Sequence, residues 1–97
     1  MNQDIKNIIK KNKVVLFMKG TKEHPMCGFS ATVVNILTTL KIEFIAINVL
    51  ENEALKQSIK DFSDWPTIPQ LYIQEHFIGG CDIVSEMYKN SELQKLF

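Results

Sequence analysis

The stretch Val14-Val15-Leu16-Phe17-Met18-Lys19-Gly20-Thr21-Lys22-Glu23-His24-Pro25-Met26-Cys27-Gly28-Phe29-Ser30 decides how the chain is built. The apolar run from Val14 spells a strand that ends in Lys19, and the Gly, Pro and polar residues from Gly20 to Pro25 spell a loop. Beyond it Val33, Val34, Leu37 and Leu40 recur at helical spacing, so a helix runs from about Gly28 to Leu40 and Cys27 falls at a strand-to-helix junction. A helix N-terminus presents unpaired N–H groups and the positive end of the helix dipole, both of which favour thiolate over thiol. The thiolate is the nucleophile and the metal ligand. A redox dithiol motif would carry a second cysteine three residues on, where this chain has Ser30. Cys27 therefore lacks a neighbouring resolving thiol. Many free cysteines are simply small buried hydrophobes, but the polar loop and the flanking Pro25 and Gly28 favour access. Phe29 is placed to anchor the first helical turn, and the Ser30 hydroxyl to cap it or to hydrogen-bond the thiolate.

Working outward, Lys41 to Val49 shows the alternation and β-branched residues of a strand. A strand, helix, strand unit implies parallel pairing. Upstream, Asn2 or Asp4 can cap a first helix with Ile5, Ile8 and Ile9 on one face, ending near Lys10-Lys11-Asn12-Lys13. Downstream, Asn52 can cap a third helix bearing Leu55, Ile59 and Phe62 at helical spacing, with Lys56, Lys60 and Asp61 on the other face. Two prolines in Asp64-Trp65-Pro66-Thr67-Ile68-Pro69-Gln70 forbid helix and make a rigid extended turn, with Pro69 the expected cis position. Leu71-Tyr72-Ile73 and Phe77-Ile78 read as hairpin strands around Gln74-Glu75-His76, a tip without Asn-Gly or Asp-Gly that should be wider than a tight primed turn. Gly79-Gly80-Cys81-Asp82 then opens a last helix with Ile83, Val84, Met87 and Tyr88.

This order describes an α/β protein of thioredoxin-like plan, a four-stranded mixed sheet flanked by helices, with residues 1–97 as one domain. The right-handed crossover rule then lets Cys27, Ile68-Pro69 and Cys81-Asp82 share one rim. Lys+Arg and Asp+Glu both number 11, so no charge imbalance points to nucleic acid or a membrane surface. No apolar run approaches the ~20 residues of a membrane span. Two cysteines are too few for a secreted disulfide framework and suit a reducing compartment. We expect a cytoplasmic, unexported protein. His24 and His76 have no zinc-site spacing relative to the cysteines.

Several residues can carry chemistry on that rim, each beside a plainer role. Lys19 is a solvated strand-end charge or a cation that stabilises a thiolate and receives a carboxylate. Lys56 and Lys60, one turn apart, are a solvated stripe or a second carboxylate receiver. Thr67-Ile68-Pro69 is a structural turn, or it leaves the Ile68 N–H and C=O unpaired for an extended peptide. In Gly79-Gly80-Cys81-Asp82 the glycines ease a turn and Asp82 caps a helix, or the helix start binds an anionic group while Asp82 selects an ammonium. Together these describe a receptor for a short zwitterionic peptide. Cys81 is a packed bystander, a remote resolving thiol for Cys27, or a metal ligand.

From Lys19-Gly20-Thr21 through Cys27-Gly28-Phe29-Ser30 and Trp65-Pro66-Thr67-Ile68-Pro69-Gln70 to Gly79-Gly80-Cys81-Asp82, the chain resembles a monothiol glutaredoxin of the single-domain bacterial or mitochondrial type. The resemblance implies glutathione laid across the rim, its cysteine next to Cys27, Gly28 and Phe29 and its backbone on Thr67, Ile68 and Pro69. It puts the glycine-end carboxylate at Lys19, Lys56 and Lys60, and the γ-glutamyl end at Cys81 and Asp82. It also implies a homodimer bridged by one [2Fe–2S] cluster, for which Cys27 of each subunit and each bound glutathione supply the four thiolates. Apo iron–sulfur proteins and a BolA-type protein are the implied partners. The alternative activity is glutathione-dependent thiol–disulfide exchange with Cys27 as nucleophile. Lys56 stands where relatives often carry arginine, which keeps the charge and loses the bidentate fork.

Overall fold

The computed structural model describes residues 2–97. Its elements are α1 (Asn2–Lys11), β1 (Val14–Met18), α2 (Gly28–Thr39), β2 (Ile45–Asn48), α3 (Glu53–Ser63), β3 (Gln70–Ile73), β4 (His76–Gly79) and α4 (Cys81–Lys89), with 3₁₀ turns at Val49–Glu51 and Leu93–Leu96. The sheet runs β2-β1-β3-β4. β2 pairs with β1 in parallel, and β3 with β1 and β4 with β3 antiparallel. This is the mixed thioredoxin-like sheet expected from the order of elements.

Every residue of β1 is buried, because alternate side chains enter two different helical layers. Val14, Leu16 and Met18 pack with Val33, Val34, Ile36 and Leu37 of α2 and Val84 of α4. Val15 and Phe17 face the other way, onto Ile5 and Ile9 of α1, Ile59 of α3 and Tyr72 of β3. Each such side chain contributes about 1.5–3 kcal/mol, so this strand sets the register of everything else. Among the described residues no helix is long and apolar enough to cross a membrane.

Helix ends account for most departures from the expected boundaries. α1 already includes Asn2 and Asp4, so neither is its cap, and Met1 lies outside the described residues. The strand expected from Lys41 begins only at Ile45. Lys41 instead takes a left-handed conformation, φ 58°, and closes α2 through Lys41 N–H to the Thr38 carbonyl and Ile42 N–H to the Leu37 carbonyl, both 3.0 Å. That pair of bonds is a Schellman stop. The same pattern closes α3 at Asp64 and α4 at Ser91, again with positive φ. Asn52 caps α3 as expected, its side chain accepting from the Leu55 N–H at 3.0 Å.

The hairpin tip is tighter than expected. Gln74 and Glu75 form a two-residue connection with φ of 49° and 71°, the signs of a type I′ turn, and His76 is paired in β4 opposite Ile73. Two non-glycine residues in this region cost about 1–2 kcal/mol each. Burial of Leu71, Tyr72 and Ile73 is worth more, so packing imposes the turn that local chemistry disfavours. β4 then slips one residue against β3 between Leu71 and Tyr72, a bulge that turns the chain toward α4.

Replacing Lys41 with glycine is expected to raise the urea unfolding free energy by about 0.5–1 kcal/mol, since it relieves a left-handed position on an exposed helix end. Gly20→Ala should do the reverse by at least about 1 kcal/mol. Gly20 has φ +96°, and a Cβ there would lie 2.5 Å from the His24 carbonyl oxygen.

Candidate functional site

The end of β1 is held by polar side chains. Gly20 N–H donates to Asn48 Oδ1 at 3.0 Å, and the same oxygen accepts from Leu50 N–H at 3.0 Å, so the loop is tied to the end of β2. Met26 N–H returns to the Lys19 carbonyl at 2.9 Å and Thr21 N–H to His24 O at 3.2 Å. The loop is thus a closed flap, and it delivers Cys27 to the N-cap of α2 with φ −150° and ψ 135°. Ser30 is wholly buried, and its Oγ accepts from the Lys19 N–H at 3.1 Å. That bond stitches the first turn of α2 to the strand end and brings Lys19 alongside Cys27.

The Cys27 thiol is held below its ordinary pKa, first by the backbone N–H of Ser30 and against partial desolvation, with the Phe29 N–H, the Lys19 charge and the Ser30 hydroxyl adding to the effect. The expected contact of the Ser30 hydroxyl with the sulfur is the smallest of these; its larger task is the strand bond. Gly28 is exposed, and a Cβ placed there would meet nothing within 4 Å. Met26 and Phe29 are 69% and 63% exposed, so open apolar surface surrounds a stabilised thiolate.

Beside Phe29 lies a cavity of about 150 Å³ whose wall includes Thr67, Ile68, Pro69, Cys81 and Asp82, with Trp65, Gly80 and Ile83. The Ile68–Pro69 peptide is cis. The structure therefore brings six of the candidate residues around one space. Lys60 lines the neighbouring depression, shared with Gln57, Asp61, Asp64 and Pro66 and separated by Trp65. Lys56 lines neither. Asp82 is not the cap of α4: the N-cap is Gly80, and Asp82 lies exposed in the first turn, where Cys81 and Asp82 offer unpaired N–H groups. Both cysteines are free thiols, and Cys81 Sγ lies 3.9 Å from Ser85 Oγ. His24 and His76 are both exposed, and among the described residues no group of three or more His, Cys, Asp or Glu side chains is placed to hold a metal ion.

One contributor was not assigned a role from sequence. Gln70, 0% exposed, sits behind the cavity wall with its amide on the Trp65 and Thr67 carbonyls. The available signal was a glutamine directly after the second proline at the head of the apolar Leu71-Tyr72-Ile73 run.

Residues 14–78 match the family described as glutaredoxin. The chain is 64% identical over 92 residues to probable monothiol glutaredoxin 2 of Rickettsia typhi, covering 95% of this chain and 83% of the relative. It superposes on the solution structure of reduced apo GrxS14 from poplar with a TM-score of 0.85 at 55% identity, covering 96% and 85% of the two chains. A crystal structure of a buckwheat glutaredoxin–glutathione complex shares the fold, with a TM-score of 0.87 at 22% identity over 98% and 84%.

The thiol makes a pH prediction. In a Cys81→Ser background, the rate of Cys27 alkylation by iodoacetamide should fall with decreasing pH through a midpoint below about 8.5, the value of a free cysteine. Lys19→Met should raise that midpoint without restoring the free value, since the Ser30 N–H is the larger cause. A midpoint at or above the free value contradicts the assignment.

Proposed function

As the chain belongs to the glutaredoxin family, on its monothiol branch, we propose that it binds glutathione along the Phe29–Asp82 cavity and, as a homodimer, carries a [2Fe–2S] cluster to apo-proteins. The observation that carries this reading is a single stabilised thiolate, Cys27, two residues before Phe29, which lines the cavity with Ile68, Cys81 and Asp82, while its neighbour Ser30 is committed to the fold.

Each feature has a task in this reading. The Ile68 main chain receives the extended backbone of glutathione strand to strand. The N–H groups at the start of α4 receive the γ-glutamyl carboxylate, and the Asp82 carboxylate receives the ammonium. Lys60, in the neighbouring depression, and Lys19, beside the thiolate, attract the glycine-end carboxylate, with Lys56 acting only at longer range. The donor set fits a cluster as cargo: one chain supplies one thiolate, two chains supply two, and two glutathione thiolates complete the four that the cluster requires. A ligand must bind deprotonated, so a lowered thiol pKa reduces the proton release that loading demands. The open space above Gly28 leaves room for a bulky inorganic group.

A second reading is favoured by the same exposed thiolate. Cys27 attacks the glutathione sulfur of a mixed disulfide, a Cys27–glutathione bond forms, and the target thiolate leaves. A second glutathione thiolate then attacks that bond, releasing oxidised glutathione and restoring the Cys27 thiolate. A Cys27–Cys81 disulfide in a redox sensor is a third possibility, which thiol counts on oxidised wild type and Cys81→Ala would separate.

Anaerobic reconstitution with iron, sulfide and glutathione is expected to give a visible-absorbing dimer with about two irons and two sulfides per dimer. Cys27→Ser should lose the chromophore and elute as a monomer. Full cluster content in Cys27→Ser would overturn the carrier reading, and rapid turnover of a glutathione mixed disulfide without cluster loading would favour exchange instead.

A further inference from the structure

Resting on the glutathione reading above, we infer that Gln70 is the positioning residue of the groove, acting through the segment Trp65 to Pro69 rather than by touching ligand. Gln70 is among the few polar side chains placed wholly inside the protein, and its amide has a defined orientation. Nε2 donates to the Trp65 carbonyl at 3.1 Å and to the Thr67 carbonyl at 3.2 Å. Both partners are acceptors, so only the NH₂ end can face them. The remaining oxygen, Oε1, accepts from the Tyr72 hydroxyl at 3.4 Å, two residues along the same face of β3.

The consequence for the groove follows from what these bonds span. Trp65 N–H donates to the Lys60 carbonyl at the end of α3, at 3.1 Å. The segment is therefore tied to α3 at its entrance, and to β3 at Trp65 and Thr67 by one amide. Ile68, immediately beyond, lines the cavity. The Trp65 ring helps little through polar contact, since its buried indole N–H has no hydrogen-bond partner among the described residues. Its ring rests on Phe77 at 5.6 Å, and Phe77 on Tyr72 at 5.4 Å. Tyr72 is buried at 2% exposure and its phenol is pushed up to about 12, mainly by burial, so it stays a neutral donor across the physiological range. The amide of Gln70 thus connects an aromatic cluster to the stretch of cavity wall from Trp65 to Pro69, which is irregular backbone. Strand-like recognition depends on that stretch keeping its place, because an ångström of misplacement is enough to lose most of a positioned interaction.

The variant Gln70→Met keeps length and volume and removes both donors. Three measurements on the full chain decide the matter: glutathione affinity by calorimetry, the pH profile of Cys27 alkylation, and backbone ¹⁵N order parameters at Thr67 and Ile68. The expected result is glutathione affinity weakened about tenfold or more, an unchanged alkylation midpoint, and order parameters falling from about 0.85 to below about 0.7. Tyr72→Phe, which removes the donor to Oε1 together with the phenol's contact to the Ser63 hydroxyl, should fold normally, weaken affinity by a factor of about two to five, and serves if Gln70→Met fails to fold. Unchanged affinity and unchanged order at Thr67 and Ile68 in Gln70→Met, or in Tyr72→Phe where Gln70→Met does not fold, would overturn the inference. So would an equal loss of affinity and of the Cys27 profile, which marks general unfolding. If the wild type itself binds no glutathione, the ligand reading fails separately, and the order parameters alone decide whether Gln70 positions the segment.

Discussion

Complete burial of β1 on both faces is the constraint on which the molecule depends. A strand with Val14, Leu16 and Met18 in one layer and Val15 and Phe17 in the other cannot slip by one residue without exchanging the two cores. Its C-terminal end is therefore a stationary point, and the functional rim is assembled from it. Lys19 follows the last strand residue directly. β2 is aligned by parallel pairing at Met18↔Asn48, and β3 by antiparallel pairing at Phe17↔Gln70. Those partners are the two side chains that go on to tie the neighbouring loops.

Polar side chains then perform at the rim what apolar ones perform in the layers. Asn48 secures the Gly20 flap, Ser30 secures the start of α2, and Gln70 secures the wall at Trp65 and Thr67. Each satisfies backbone groups that a loop cannot pair for itself, and an unpaired buried group costs about 1–3 kcal/mol. The three reside on different elements, yet all hold loop backbone within reach of β1. Rigidity around Cys27 thus comes from a few directed bonds in a region where continuous apolar packing would leave no room for a ligand.

Much of this was legible in the sequence, for reasons that differ by residue. The Cys27 junction could be read because apolar periodicity changes from strand to helix across a loop rich in glycine and proline. Asn52 as a cap, and the turn from Asp64 to Pro69, follow from local chemistry. Lys41, Asp64 and Ser91 were not legible as helix terminators, because the left-handed position that a glycine would have announced is forced on other residues by the packing that follows. With only four glycines in the chain, the hairpin tip at Gln74 and Glu75 falls under the same rule. The Ser30 hydroxyl was expected on the sulfur, where it does act, but its bond to the Lys19 N–H, 11 residues back, depends on a proximity that only the folded chain creates, and the bonds of Gln70 to Thr67 and Trp65 depend on how the two-proline turn bends.

The character of the thiolate distinguishes what such a site does well. Were Cys27 stabilised chiefly by a buried cation, ionisation would be deep and the sulfur would bind tightly to whatever it met. Here backbone N–H groups of Ser30 and Phe29 contribute ahead of Lys19, and the thiol remains close to solvent. A sulfur whose pKa falls becomes a better leaving group as well as a more available thiolate, while its intrinsic nucleophilicity declines. That balance suits reversible attachment more than fast attack. In the proposed reading the wall held by Gln70 supplies the complementary half, a fixed place for a ligand that brings its own thiol. Separating the activated sulfur from the cavity wall in this way lets one be exchanged without disturbing the other, which is what the proposed carrier role requires.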